Sequence, residues 1–152
     1  VMIRGVVSDL AGCIDFIIAN TPSSQGDDGF EFRRRVLREA DPFLTPGSVV
    51  LLNVSIQYGR QRIAGLSSAN PRLQRKQLLG STDWVPFDLT RPDLLDCLQA
   101  YVEEEKRGGM PYEFRLPNGE SEFETAAMAL EHYHRTGDSP LTKWQMHLFE
   151  YA

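Results

Sequence analysis

Four residues, Asn20, Thr21, Pro22 and Ser23, close an apolar run from Ile14 to Ala19 and are the best candidates for chemistry in this chain. A run of aliphatic and aromatic residues that stops at a small polar turn is how a buried parallel strand delivers its carboxyl end to a ligand crevice. Asn20 then stands at the mouth of that crevice; a core strand followed by an ordinary turn is the plainer alternative. Other constellations exclude more than they offer. His132 and His134 stand two apart on a predicted helix, so they point to different faces and cannot share a metal, and His147 falls on a predicted strand. No Gly-x-Ser-x-Gly elbow occurs, which argues against a hydrolase. Cys13 and Cys97 form no Cys-x-x-Cys pair and read as free thiols of a reducing compartment. Trp84, Phe87, Tyr112 and Trp144 can line a pocket, yet aromatic residues in a domain of this size more often belong to the core.

Composition bounds what these residues serve. With 152 residues and 41% apolar content, the chain can form a single domain with a real core. No uniform apolar run is long enough to span a bilayer, and Ser8, Asp9, Gly12 and Asp15 interrupt any signal-peptide core, so a cytoplasmic protein without a membrane partner is expected. The net charge of −5 is unevenly spread: nine basic residues stand against two acidic ones from Arg33 to Lys76, and fourteen acidic against six basic from residue 82 onward. A basic middle can attract an anionic partner such as RNA. The simpler reading of Arg33, Arg34, Arg35 and Arg38 is the solvated face of a helix.

The elements that must position the four residues can be read in order. Val1 to Leu10 reads as a first strand ending in an acidic turn at Asp9, and a chain that opens inside a strand looks cut. After Pro22 a Ser/Gly/Asp-rich loop leads into a helix over Phe30 to Asp41, with Phe32, Val36, Leu37 and Ala40 as its apolar face. Ser48 to Ser55 is the clearest buried strand, and strand, loop, helix, turn and strand together make a βαβ unit. A helix over Arg60 to Leu66 is broken at Asn70-Pro71, with Leu73, Leu78 and Leu79 continuing it before Gly80. Trp84 to Leu89 reads as a strand that Pro86 places at an edge or a bulge. Thr90, with Asp93 three residues on, caps a helix that carries Leu94, Leu95, Leu98, Tyr101 and Val102 and runs out into solvent at Glu103, Glu104 and Glu105. Met110 to Leu116 reads as a short strand. Ser121 and Glu124 form a capping box for a helix that Gly137 stops, and Trp144 to Tyr151 alternates as a final strand.

The segments Asp15-Phe-Ile-Ile-Ala-Asn-Thr-Pro-Ser, Asp28-Gly-Phe-Glu-Phe and Leu44-Thr-Pro-Gly-Ser-Val-Val-Leu-Leu-Asn, in that order, resemble the later half of Rossmann-like S-adenosylmethionine-dependent methyltransferases. The group that includes the release-factor glutamine N5-methyltransferases is nearest, with its Asn-Pro-Pro-Tyr motif at the end of the fourth strand. The resemblance covers residues 1 to 65 and not the block from Thr90 to Gly137. It implies an α/β domain, the later half of a methyltransferase sheet with helices on both faces, and residues 90–137 as a helical insertion before the last strand. It also implies roles. Asp9 matches the acidic position that follows the third strand and lies near the cofactor's adenine, and Asn20 and Pro22 match the first and third motif positions. There the Asn side chain and a nearby carbonyl accept hydrogen bonds from the acceptor nitrogen and orient its lone pair, which is catalysis by positioning.

The departures define the remaining expectations. Thr21 replaces the first motif proline, and Ser23 replaces the aromatic residue that packs on a planar acceptor. No Gly-x-Gly fingerprint precedes these strands; Gly26-Asp-Asp-Gly29 follows the motif and lacks the strand-to-helix context. The chain therefore reads as the carboxyl-terminal part of a longer methyltransferase, transferring methyl to nitrogen of a protein or small molecule. Without the earlier strands, Ile14 to Ala19 becomes an open apolar edge that an N-terminal half or a partner chain must complete. The rivals are a non-catalytic interaction module on the same scaffold and an RNA-modifying enzyme.

Overall fold

A computed structural model describes residues 8–152. The expected first strand lies outside these residues except at its end, where Ser8–Leu10 forms a single 3-10 turn and not extended chain. The apolar run is strand β1 (Ile14–Ala19), which lies parallel to β2 (Leu44–Ser55), with Ile17 opposite Val50 and Ala19 opposite Leu52. Parallel neighbours need a crossover, and α1 (Glu31–Ala40) supplies it. The last strand, β6 (Trp144–Tyr151), enters antiparallel beside β2, and β3 (Leu73–Ser81) pairs antiparallel with its far side. The sheet order is β1-β2-β6-β3, a mixed sheet in an α/β chain.

The segment from Leu73 to Ser81 corrects the expected helix. Gln74, Arg75, Lys76 and Gln77 favour a helix locally, but the ladder with β6 overrides that preference, and Gly80 and two register shifts are tolerated because β3 is an edge strand. After β2, a short α2 (Arg60–Ala64) tightens into 3-10 turns through Ser68.

Strands β4 (Val85–Pro86) and β5 (Leu141–Thr142) form a two-residue antiparallel ribbon. Everything between them emerges from the sheet at this ribbon and returns to it, including α3 (Pro92–Lys106) and α4 (Ala126–Thr136) packed on each other. Met110 to Leu116 is no regular strand; it contributes only isolated bridges, Phe114 to Glu124 and Arg115 to Leu141. Both expected caps shift. Arg91, not Thr90, is the N-cap of α3, and the Thr90 hydroxyl donates to Asp88 at 2.6 Å. Thr125, not Ser121, caps α4 by accepting from the Met128 amide at 3.3 Å. Glu105, expected in solvent, reaches from α3 to accept from the amides of Ala126 and Ala127 at 3.0 and 3.1 Å. It thereby satisfies two donors that a helix start leaves open. Gly137, at φ 79°, ends α4 as expected.

Burial is one-sided. Val50, Leu52 and Val54 are fully buried on β2, each contributing about 1.5–3 kcal/mol, while Val49 and Leu51 between them are only half-buried. On the same outer face Phe16 is 50% and Ile18 64% exposed. The resemblance implied helices on both faces; among the described residues the alternation shows one covered face. Cys13 and Cys97 are free thiols, and no helix among the described residues is long and apolar enough to cross a membrane.

Candidate functional site

The carboxyl ends of β1 and β2 place two asparagines side by side. Asn53 donates from its Nδ2 to Asn20 Oδ1 at 3.2 Å, which fixes the orientation of the exposed Asn20 amide and leaves its own NH2 and one lone pair of Oδ1 for a ligand. Asn20 stands at the rim of the open outer face, in line with Phe16 and Ile18.

Beyond Asn20 the chain is held from beneath by Arg33. Its side chain is 1% exposed, and its guanidinium donates to the carbonyls of Thr21 (2.9 Å), Pro22 (3.3 Å) and Asn53 (3.3 Å) and to the Tyr58 hydroxyl (3.3 Å). The cation also lies over the Tyr58 ring at 4.7 Å. Arginine's rigid fork is suited to this position, where several carbonyls converge on one planar group. Arg33 is buried because the inner stripe of α1 is Phe30, Arg33, Leu37 and Ala40, spaced three, four and three. Phe32, expected inside, is 39% exposed. The expected solvated face thus holds at its centre a buried cation that organises the motif. The Thr21 hydroxyl is buried and has no partner among the described residues.

Ser23 turns into a loop that is built from its own polar groups. Asp27 accepts from the Ser24 hydroxyl (2.6 Å) and the Gly29 amide (2.7 Å), and Ser24 accepts from the Glu31 amide (3.0 Å), closing the start of α1. Asp28 binds Arg34 through both oxygens, at 2.9 and 2.5 Å, and accepts from Arg62 Nε at 3.0 Å. Burial works to raise the Asp28 carboxyl pKa, but the Arg34 hydrogen bond and the two guanidinium charges outweigh it and hold the group below its ordinary value. Arg62 is itself buried and donates onward to the Met110 carbonyl at 2.5 Å. The Tyr112 hydroxyl donates to the Asp28 carbonyl at 2.8 Å, and Tyr112 stacks on Tyr101 at 4.1 Å. These contacts bind the segment from β4 to β5 to the motif loop.

Between that loop and α3 lies a cavity of about 550 Å³ walled by Pro22, Ser23, Asp27, Asp93, Cys97 and Tyr101, among others. Ser23 Oγ lies 3.3 Å from the Tyr101 hydroxyl. Burial raises the pKa of both the Cys97 thiol and the Tyr101 phenol, so each is protonated at neutral pH. The wall therefore supplies hydrogen-bonding groups and carboxylates but no ready nucleophile. No family model and no curated protein matches the chain.

The five residues singled out from sequence divide by position. Pro22 and Ser23 form the cavity wall, while Asn20 and Thr21 adjoin it and stand outside it. Asp9 is not brought to them. The Gly12 amide bonds the Pro42 carbonyl at 3.0 Å, which places this segment at the start of β1, whereas Asn20 follows its end, about 20 Å away along six residues. Arg33, Arg62 and Asp28 were missed as site builders. The one available signal was the spacing of Arg33 in register with Phe30, Leu37 and Ala40.

Proposed function

We propose that this chain is the acceptor-binding later half of a Rossmann-like S-adenosylmethionine-dependent methyltransferase and orients a nitrogen for methyl transfer. Asn20 carries this reading: it follows the end of a parallel strand with its amide oriented by Asn53, above a backbone held by Arg33 and beside a cavity. The sheet supports it to the extent that β1 and β2 are parallel neighbours joined through α1, the strand–helix–strand order on which the resemblance rests. Asn20 accepts an acceptor N–H at its second lone pair and holds the nitrogen's lone pair toward the incoming methyl. The Thr21 and Pro22 carbonyls are already bonded to Arg33, so the Asn20 amide takes the larger share of positioning. Asp27 and Asp96 on the cavity wall favour an amine over an anionic acceptor, while Asp93 beside them is paired with Arg91 at 2.7 Å. RNA is disfavoured further because Arg34, Arg35 and Arg38 are ion-paired, with Asp28, Glu39 and Glu31.

The described residues do not fit the cofactor by themselves: Asp9 lies at the wrong end of β1, and the Gly29 amide is taken by Asp27. In this reading the cofactor side comes from upstream sequence or a partner chain, which also covers Phe16, Ile18 and the free edge of β1. Calorimetric titration with S-adenosylmethionine and S-adenosylhomocysteine tests it on this chain alone and on the protein with its upstream sequence. Saturable binding by the longer protein is expected, with Asn20→Ala abolishing transfer at nearly unchanged cofactor affinity. Absence of binding by a folded longer protein leaves the interaction-module reading in its place.

A further inference from the structure

A second cavity, of about 730 Å³, lies on the covered side of the sheet between α2, the inner residues of β3 and β6, and the chain around Trp84 and Phe123. That volume suits a small molecule. Its wall includes His147 on β6, which is 5% exposed and whose Nε2 is buried with no hydrogen-bond partner among the described residues. Leaving such a nitrogen unbonded costs about 1–3 kcal/mol, so the position calls for a ligand or water to satisfy it. Around it, Arg75 and Lys143 have no carboxylate partner among the described residues, whereas Arg60 is paired with Glu113 at 3.0 Å. Lys143 lies 4.8 Å from the Trp84 ring centre, and the Trp84 and Phe123 rings stand 6.3 Å apart. Glu122, exposed on the same wall, is the opposing charge.

We propose that this cavity binds a small organic oxyanion, its acidic group met by Arg75, Lys143 and His147 and its flat apolar body by Trp84 and Phe123. The oxyanion pairs with exposed Arg75 and half-buried Lys143 and accepts from buried His147, and the body covers aromatic surface beside them. His147 is neutral here, its pKa lowered to about 4 by burial and the Arg75 charge, so it offers one N–H without adding charge. The site involves neither Asn20 nor the cavity beside Ser23.

Phenyl phosphate and benzoate are the probes, with phenol and inorganic phosphate as controls. Trp84 fluorescence reports binding in a Trp144→Phe background, and the His147 imidazole resonances report it by NMR. Saturable binding of phenyl phosphate, benzoate or both is expected, at least tenfold tighter than phenol or inorganic phosphate; which of the two binds better tells phosphate from carboxylate. Arg75→Gln and Lys143→Gln should each weaken it at least fivefold, and Glu122→Gln should tighten it. The proposal is overturned if folded protein shows no saturable response to either probe at millimolar concentration. It is equally overturned if phenol binds as tightly, or if neither cation variant changes the affinity.

Discussion

Arg33→Met removes a guanidinium of the motif's framework while keeping an unbranched side chain in its place. Four hydrogen bonds are lost, to the carbonyls of Thr21, Pro22 and Asn53 and to the Tyr58 hydroxyl. A bond from a charged donor is worth about 1.5–3 kcal/mol, but three of these are 3.3 Å long, and removing a cation that has no carboxylate beside it recovers part of its desolvation cost. A net loss of about 3–4 kcal/mol follows, a large part of the ~5–15 kcal/mol that holds an ordinary domain. Urea unfolding followed by tryptophan fluorescence measures it; at a slope of about 1.5–2 kcal/mol per molar, the midpoint should fall by about 2 M. Arg33→Lys keeps the charge but has a single nitrogen, so it should recover less than half of the loss. Amide exchange should rise at Ser23 and Ser24 in both variants. A midpoint within 0.5 M (about 1 kcal/mol) of the parent for Arg33→Met would refute the assignment of Arg33 as the clamp of the motif.

Three further outcomes follow from the same geometry. Asp28→Asn should cost about 2–4 kcal/mol at neutral pH by unpairing Arg34 and buried Arg62. Because the folded Asp28 carboxyl is held below its unfolded value of 3.8, its contribution is present above that pH and lost as pH falls through the folded value, so parent and variant should converge in acid when their urea midpoints are compared. His147 is depressed from 6.5 to about 4, so its neutral burial favours folding above pH 6.5 and is lost progressively down to about pH 4. That amounts to about 3 kcal/mol, and His147→Gln should flatten the stability curve over this window. Gly29→Ala should cost about 2–3 kcal/mol in thermal unfolding, since φ is +78° and a Cβ would come within 2.6 Å of Ser23 Oγ; Gly26→Ala, at φ +80° but in open space, should cost only about 1.

The fold was legible where side-chain pattern and backbone need agreed. Ile14 to Ala19, Ser48 to Ser55 and Trp144 to Tyr151 carry strand patterns that tertiary pairing reinforces, and Gly137 marks a helix end because only a left-handed residue closes it cheaply. Leu73 to Ser81 was illegible because its residues favour a helix and its strand exists only through β6, more than sixty residues later. Arg33 and Glu105 misled for a common reason. A charged residue on a helix is solvated by default, and the groups that bury it, two loop carbonyls and one strand carbonyl in one case and a second helix start in the other, come from elsewhere in the chain. Asn20, Thr21, Pro22 and Ser23 were singled out as a local motif. Their surroundings, from Asn53 to Cys97 and Tyr101, are set by the topology and not by spacing.

β6 follows every other described element in the chain, yet it lies between β2 and β3. During synthesis, β1 and β2 can pair as soon as they emerge, while β3 has no partner and half of β2 stays open until the last strand arrives. Closing the sheet therefore waits for β6 and draws together chain of long sequence separation, which slows it. In that interval both open strands are available to other copies, so aggregation on the ribosome or on dilution from denaturant should be decided at this step.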